Sequence, residues 1–464
     1  MRPTLQKLAL LSAIPITVAL YLGIVVGVFA EAISAGVTAL IVGVPLAVAA
    51  GLLVGRASRH SADAITNEAG AEALGSRLAP LRAKVTDEEE TRFNIIHPGL
   101  DPEGSPADVA VINLARRLAD RGHRPRLILL DSTGLARHWR EQLAAHRGIG
   151  EAIHKVEMFD ASGRAKELRL NPADRVIATD WTAAHVADDL CRRLRTGRFA
   201  YLIREYQPFE FSMGSSAALA DQSYGLEHGA IFLDGLLQDY FSEQRLGVFA
   251  TGPKLGLNLA VTCREPIYPV NPPGVEALSG HDRRRLLLPA RPEGDGSGNL
   301  YELGIIALDL AVLNGHFRNW DLAGIGSGGS EETSIVLPRS RARLRLLPAT
   351  EDSQRIGLLR QFDVGIGLRY APGLAPMTVE MAASGMSVVT NTFAGKHPAA
   401  LAAISENLLP ADARVESIAA TLAAAEQRSG DLDGRASGAR IEWPTSWDET
   451  LDDAAMTAVE QLAS

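Results

Sequence analysis

Beyond residue 90, short apolar runs alternate along the chain with segments whose apolar positions recur every three or four residues. Phe93 to His97 (FNIIH) reads as a buried strand, followed by a loop carrying Pro98, Gly99, Pro102, Gly104 and Pro106. Ala107 to Asp120 places Val109, Ile112, Leu114 and Leu118 on one helical face and stops at Arg121–Gly122; Leu127 to Leu130 is the next strand. Strand, loop, helix and strand in that order make a βαβ unit of a parallel sheet. Val176 to Ala178 and Tyr201 to Ile203 continue the series, which runs through Ile231 to Leu233 into a hinge near Gln244–Gly247. A second series then begins. It has strands at Arg285–Ala290, Leu322–Ile325, Leu344–Leu347, Val364–Leu368 and Ser387–Thr390. Its helices are Leu300–Leu313, Ser353–Gln361, one opening near Pro376, and Val415–Arg428. Pro444 to Leu462 reads as a last helix with its proline at the start.

The N-terminal pattern is different. Leu8 to Ala30 and Gly36 to Val54 are runs without a charge, each long enough to cross a ~30 Å hydrocarbon core. Only Glu31 to Ala35 separates them, which predicts a transmembrane hairpin. A secretory signal peptide is the competing reading, but the first run is too long for an h-region and another span follows at once. Arg2 and Lys7 before the first run, and Arg56 and Arg59 after the second, place both ends in the cytoplasm by the positive-inside rule. The expected localisation is thus the bacterial inner membrane, with the soluble part cytoplasmic. Gly23–Gly27 and Gly51–Gly55 are small-xxx-small spacings that suit packing within the hairpin, and through which it could also self-associate.

Composition narrows the function. A net charge of −9 gives no basic footprint for nucleic acid. Two distant cysteines, Cys191 and Cys263, exclude a disulfide framework or a zinc site of standard spacing and fit a reducing compartment. The organisation read from these signals is a hairpin (1–55), a tether (56–90), an N-terminal Rossmann-like domain (91–244), a C-terminal Rossmann-like domain (245–430) and a final helix packing back on the first domain (431–464).

Open α/β sheets hold ligands at the carboxyl ends of their strands. His97, Asp180 and Glu205 follow strands of the first half and are the titratable groups placed to meet a substrate there; each alone can equally be structural. Arg291 ends a strand and faces a helix start, an arrangement suited to a pyrophosphate, although it could simply tie down its own loop. Glu380 stands in an otherwise apolar stretch, APGLAPMTVEMAASGMSVVTN (371–391). It either favours the helix dipole or holds the ribose hydroxyls of a nucleotide.

Three stretches carry a resemblance: YLIREYQPFEFSMGSSAALADQSY (201–224), LLLPARPEGDGSGNLYELGIIAL (286–308) and VGIGLRYAPGLAPMTVEMAASGMSVVTN (364–391). With FNIIHPGL (93–100) and LARRLADRGH (114–123), they look like bacterial rhamnosyltransferases of the family 4-like type, over most of residues 92 to 430. That resemblance implies a GT-B fold, two Rossmann-like domains facing a cleft. It also implies that Arg291 contacts the diphosphate and Glu380 the ribose of a nucleotide-sugar, dTDP-rhamnose, while Met377 and Thr378 present backbone amides to phosphate. Glu205, with Asp180 as the second candidate, would be the base toward the acceptor hydroxyl, and His97 would lie on the acceptor side. The sequence departs from the family twice: the first glutamate of E-x7-E is Pro372, and the Tyr-Pro-Pro before the ribose glutamate reads Pro376-Met377-Thr378.

The expected activity is therefore metal-independent glycosyl transfer to a glycan or lipid-linked acceptor at the cytoplasmic membrane face, with no cofactor beyond the donor. No Asp-x-Asp follows a strand, so Arg291 and helix dipoles would neutralise the leaving diphosphate. The rivals are a transferase using mannose or glucose and a non-catalytic scaffold on the same fold.

Overall fold

The computed structural model describes residues 70–101, 104–131, 139–146, 148–280, 282–291, 298–326, 331–348 and 352–464. The chain divides into two compact units, 1–76 and 77–464; of the first, only residues 70–76 are described, and they are helical.

Within the second unit two seven-stranded sheets set the architecture. The first contains β1 (Phe93–His97), β2 (Pro125–Leu129), β3 (Glu157–Asp160), β4 (Arg175–Ala178), β5 (Phe199–Ile203), β6 (His228–Phe232) and β7 (Ala260–Thr262). All pair in parallel, in the order β3-β2-β1-β4-β5-β6-β7. The second contains β8 (Arg285–Pro289), β9 (Asp321–Ile325), β10 (Thr333–Val336), β11 (Arg343–Leu346), β12 (Val364–Ile366), β13 (Ser387–Asn391) and β14 (Leu408–Ala411). Its order is β10-β11-β9-β8-β12-β13-β14, with β10 the one antiparallel edge. Each sheet starts in the middle and reverses direction there, which is the doubly wound pattern that opens a crevice at the strands' carboxyl ends.

The strand sequences explain the arrangement. β1, β2, β5, β6 and β13 are buried along their whole length, as expected where helices cover both faces of a parallel sheet. Helix α1 (Pro106–Asp120) starts with proline after a capping box: the Asp108 amide donates to Ser105 Oγ at 3.2 Å and the Ser105 amide to Asp108 at 2.8 Å. Its apolar face joins Ile95 and Leu127 in one core. Helix α2 (Trp181–Cys191) serves the other face of the same sheet.

The chain crosses between the halves twice. The outward segment follows β7, later than the hinge expected near Gln244, because the short Ala-Val-Thr strand still pairs with β6. Residues 432–438 stay with the second half through the buried Arg435, and the return segment then lies against the outward one. The Ile267 amide donates to the Pro444 carbonyl at 3.0 Å and Trp443 Nε1 to the Glu265 carbonyl at 2.8 Å. The expected final helix is broken into 447–450 and α6 (Asp453–Leu462). Met456 and Val459 of α6 are fully buried with Phe93 and Ile95 of the first half, a burial contributing ~1.5–3 kcal/mol per side chain. At Gly229 of β6 a Cβ would stand 2.9 Å from Leu462, so this strand position must stay bare for α6 to seat.

The expected membrane placement needs correction. Among the described residues no helix is long and apolar enough to cross a membrane. Both runs of the expected hairpin, 8–30 and 36–54, lie outside the described residues, and the inner-membrane localisation built on them is withdrawn. The expected tether is partly ordered structure: Leu81 is buried and Ala83–Val85 pairs in parallel with Leu168–Leu170.

Candidate functional site

Between the two sheets' carboxyl ends lie two cavities, of about 350 and 720 Å³. They share Pro106, Glu265, Arg291 and the ridge Ala375–Met377.

The smaller cavity is lined by charges from both halves. β5 delivers Arg204 and Glu205, and the loop behind them is pinned by Tyr224, whose hydroxyl donates to the Glu205 carbonyl and accepts from the Gln207 amide, both at 3.1 Å. Glu205 pairs with Arg369, three residues past the end of β12, at 2.5 Å. Arg204 pairs with Glu265 at 3.2 Å. Burial alone would lift the Glu205 carboxyl, but Arg369 and then Arg204 outweigh it and hold the group below the usual glutamate range. Its hydrogen-bonded neighbour Glu210 goes the other way: burial and then the charge of Glu205 push it up to about 8. One carboxyl is thus kept charged while the other keeps its proton. Asp234, the N-cap of α3 (Gly235–Gln244), also reaches across, accepting from the Leu374 amide at 3.3 Å. The loop comes so close that a Cβ on Gly373 would lie 2.5 Å from Asp234 Oδ2.

A pH effect follows. Glu210 binds its proton more tightly folded than unfolded, so the stability it adds is complete below the ordinary carboxyl pKa and is lost as pH rises through about 8. Melting temperatures measured from about pH 5 to about pH 9 should show a decline in the wild-type chain that levels off above about pH 8 and that Glu210→Gln flattens. Parallel curves would refute the assignment.

Arg291 is exposed and lines both cavities. Asn299 positions its backbone, donating to the Arg291 carbonyl at 2.9 Å while its own side-chain oxygen accepts from the Tyr301 amide at the start of α4 (Tyr301–Leu313). Leu300 between them is held at a left-handed φ of 49°, a conformation that costs a non-glycine residue on the order of 1 kcal/mol or more. Among the described residues no carboxylate is paired with the Arg291 guanidinium. The glycine-rich loop expected after it falls on residues 292–297, outside the described residues.

Glu380 sits in α5 (Pro376–Ala383), fully buried at the edge of the larger cavity. Oε1 accepts from the Tyr268 amide and from Arg355, both at 3.1 Å, and the Arg355 guanidinium lies 4.2 Å from the Tyr268 ring centre. Of the two expected phosphate-facing amides, that of Thr378 donates to the Ala375 carbonyl at 2.9 Å, closing a turn. Thr378 is buried under the ridge, while Met377 lies on it.

His97 and Asp180 are placed elsewhere than the lining of these cavities. His97 is buried between Asp108 (3.0 Å) and Thr179 (2.6 Å). Asp180 is the N-cap of α2, accepting from the Ala183 amide at 2.7 Å and from the Thr182 hydroxyl at 2.9 Å. Both side chains hold strand ends to helix starts. Arg369 and Asp234 were missed although they too follow strands, the same positional signal that singled out Glu205 and Arg291. Glu210, at the end of the short helix Gln207–Glu210, and Arg355, in the helix Asp352–Leu359, have no such signal; only the folded chain brings them to the cleft.

Comparison with known proteins agrees with this architecture. Residues 284–423 match the model of the WsaF C-terminal domain. Over 239 residues, 49% of this chain, it is 27% identical to the O-antigen biosynthesis protein RfbC of Myxococcus xanthus, of whose length only 16% is covered. Among solved structures, Anabaena Alr3699/HepE in complex with UDP-glucose aligns over 81% of this chain and 98% of its own, with a TM-score of 0.50 at 14% identity. WaaG, a glycosyltransferase involved in lipopolysaccharide biosynthesis, aligns over 80% and 98%, with a TM-score of 0.45 at 15% identity. The likeness to the Anabaena protein is one of fold: an α/β chain of the GT-B-like type, with two doubly wound sheets facing a cleft.

Proposed function

We propose that this chain transfers a sugar from a nucleotide-sugar to a glycan acceptor, free or lipid-linked, with dTDP-rhamnose as the donor. The observation that carries this reading is the meeting of two cavities at Arg291 and the Ala375–Met377 ridge, one holding Glu380 and the other Glu205. A nucleotide-sugar has the matching layout: nucleoside, diphosphate, sugar.

In this reading the nucleoside enters the larger cavity. Ribose hydroxyls would take the place of the Arg355 guanidinium on Glu380, a replacement of one donor by another that keeps the buried carboxylate hydrogen-bonded. The diphosphate lies against Arg291, the Met377 amide and the dipole at the start of α5 adding positive potential. As the bond to the sugar breaks, charge collects on the leaving diphosphate, and a guanidinium already in position stabilises it without reorganisation. The sugar then projects into the smaller cavity toward Glu205. Paired with Arg369, Glu205 is a weak base; parting that pair on donor binding would raise its affinity for the acceptor's proton. A donor carrying UDP would fit the same layout, as the UDP-glucose complex of the Anabaena protein suggests.

Calorimetric titration of the chain with dTDP, UDP and GDP, then with dTDP-rhamnose, UDP-glucose and GDP-mannose, tests the reading. One family of nucleotides should bind, and Glu380→Gln should weaken it about tenfold, the loss expected for a hydrogen bond to a charged group. A folded chain that binds none of them would overturn the proposal in favour of a non-catalytic scaffold.

A further inference from the structure

A cluster of aromatic rings stands at the mouth of the smaller cavity, outside the machinery described so far. Phe209 is 40% exposed and Tyr370 53%, and both line that cavity beside Glu205 and Glu210. Phe393 joins them: its ring centre is 5.6 Å from Phe209, 4.9 Å from Tyr370 and 6.2 Å from Tyr240. Phe209 and Tyr240 belong to the first half, Tyr370 and Phe393 to the second. The contacts of Phe393 with Phe209 and Tyr370 are edge-to-face, at 83° and 74°, which satisfies the rings' quadrupoles while leaving ring surface open to solvent.

Phe393 is held there at a cost. Ala394, next in the chain, adopts a left-handed φ of 46°, unusual for a residue with a side chain. The turn is closed by paired backbone hydrogen bonds between Phe393 and Lys396 at 2.9 and 3.2 Å. Lys396 itself is fully buried and donates to the Arg369 carbonyl at 2.9 Å, tying this turn to the segment that carries Tyr370. A strained turn braced by a buried lysine is an expensive way to display one phenylalanine, and such strain gathers at ligand-holding sites.

We propose that Phe209, Tyr240, Tyr370 and Phe393 form a stacking platform for a pyranose ring of the acceptor glycan. The proposal deepens the transferase reading above and rests on it. A pyranose offers what this surface asks for: a C–H face to lie on the rings and a rim of hydroxyls to reach the carboxyl groups of Glu205 and Glu210 and the Arg369 guanidinium. An acyl chain would have to desolvate those polar and charged groups without compensating hydrogen bonds. Because each half contributes two rings, the platform is complete only when the halves are together, so it would present an acceptor to the same closed cleft that holds the donor.

Saturation-transfer NMR on the whole chain tests this, using methyl glycosides and short oligosaccharides of rhamnose, mannose and glucose. At least one should receive saturation on its C–H face. The double variant Phe209→Ala/Tyr370→Ala should weaken that binding tenfold or more, and Tyr370→Phe should preserve it. Calorimetric affinity for dTDP or UDP should stay within twofold in both variants. Glycoside binding that survives the double substitution overturns the proposal, as does the absence of any glycoside binding by a chain that binds nucleotide. A chain that binds glycoside through these rings but no nucleotide would sink the donor reading and leave the platform standing.

Discussion

Replacing Arg291 by alanine should lower the transfer rate by about 10²–10³-fold, the loss seen when a preorganised charge-stabilising donor is taken from a transition state. The melting temperature should stay where it is. Arg291 is exposed and, among the described residues, its guanidinium is paired with no carboxylate, so the fold gives up little when the side chain goes. Its position between the two cavities confines the effect to a ligand spanning them. Release of nucleoside diphosphate from the donor, followed with and without acceptor, is the measurement. A variant that releases it at the wild-type rate would remove Arg291 from the diphosphate site. A variant that binds donor normally yet turns over slowly would show that the guanidinium acts on the developing charge rather than on the ground state.

The largest effect on stability is expected at Arg435. Its side chain is fully buried, pairs with Asp363 at 3.0 Å and donates to the carbonyls of Gly385 at 2.7 Å and Ser429 at 2.8 Å. Burial pulls its pKa down against the opposing charge of Asp363. Removing one partner of such a pair leaves a buried charge uncompensated, so Arg435→Ala should cost about 3–5 kcal/mol. Arg435→Met combined with Asp363→Asn keeps volume and removes both charges, and should cost clearly less. Scanning calorimetry is the suitable measurement: the transition in which the second half melts should move to lower temperature in Arg435→Ala, and much less in the double variant. An Arg435→Ala chain that melts like the wild type would show that the pair is not a keystone of that half.

Much of the fold could be read before any coordinates. FNIIH at 93–97 and the helix Val415–Arg428 have the expected bounds, and most other strands differ by a residue or two at their ends. These segments are apolar on both faces or strongly periodic, and local pattern suffices for them. β3, β7 and β10 escaped because they are edge strands of three or four residues with little apolar signal, formed because a neighbour offers them hydrogen bonds. The broken final helix is similar: Ser446 and Asp452 are both good caps, and the crossing at residue 444 decides where helix can begin.

At the site, the sequence by itself determined which groups stand at strand ends: Glu205, Arg291, Asp180 and His97, with Glu380 in the helix beyond. Position along a strand is a local property, and the topology of a parallel sheet turns it into a place at the cleft rim. Only the tertiary structure decided what each group does there. Asp180 and His97 were absorbed into helix starts because Ala183, Thr182, Thr179 and Asp108 lie within hydrogen-bonding distance. Glu205 remained in the cavity because its partner, Arg369, comes from the other half of the molecule. Glu210 keeps a proton, and Phe209 meets Phe393, for the same reason: charge coupling and ring contact act through a few ångströms of space whatever the separation in sequence, and sequence spacing carries no record of that distance.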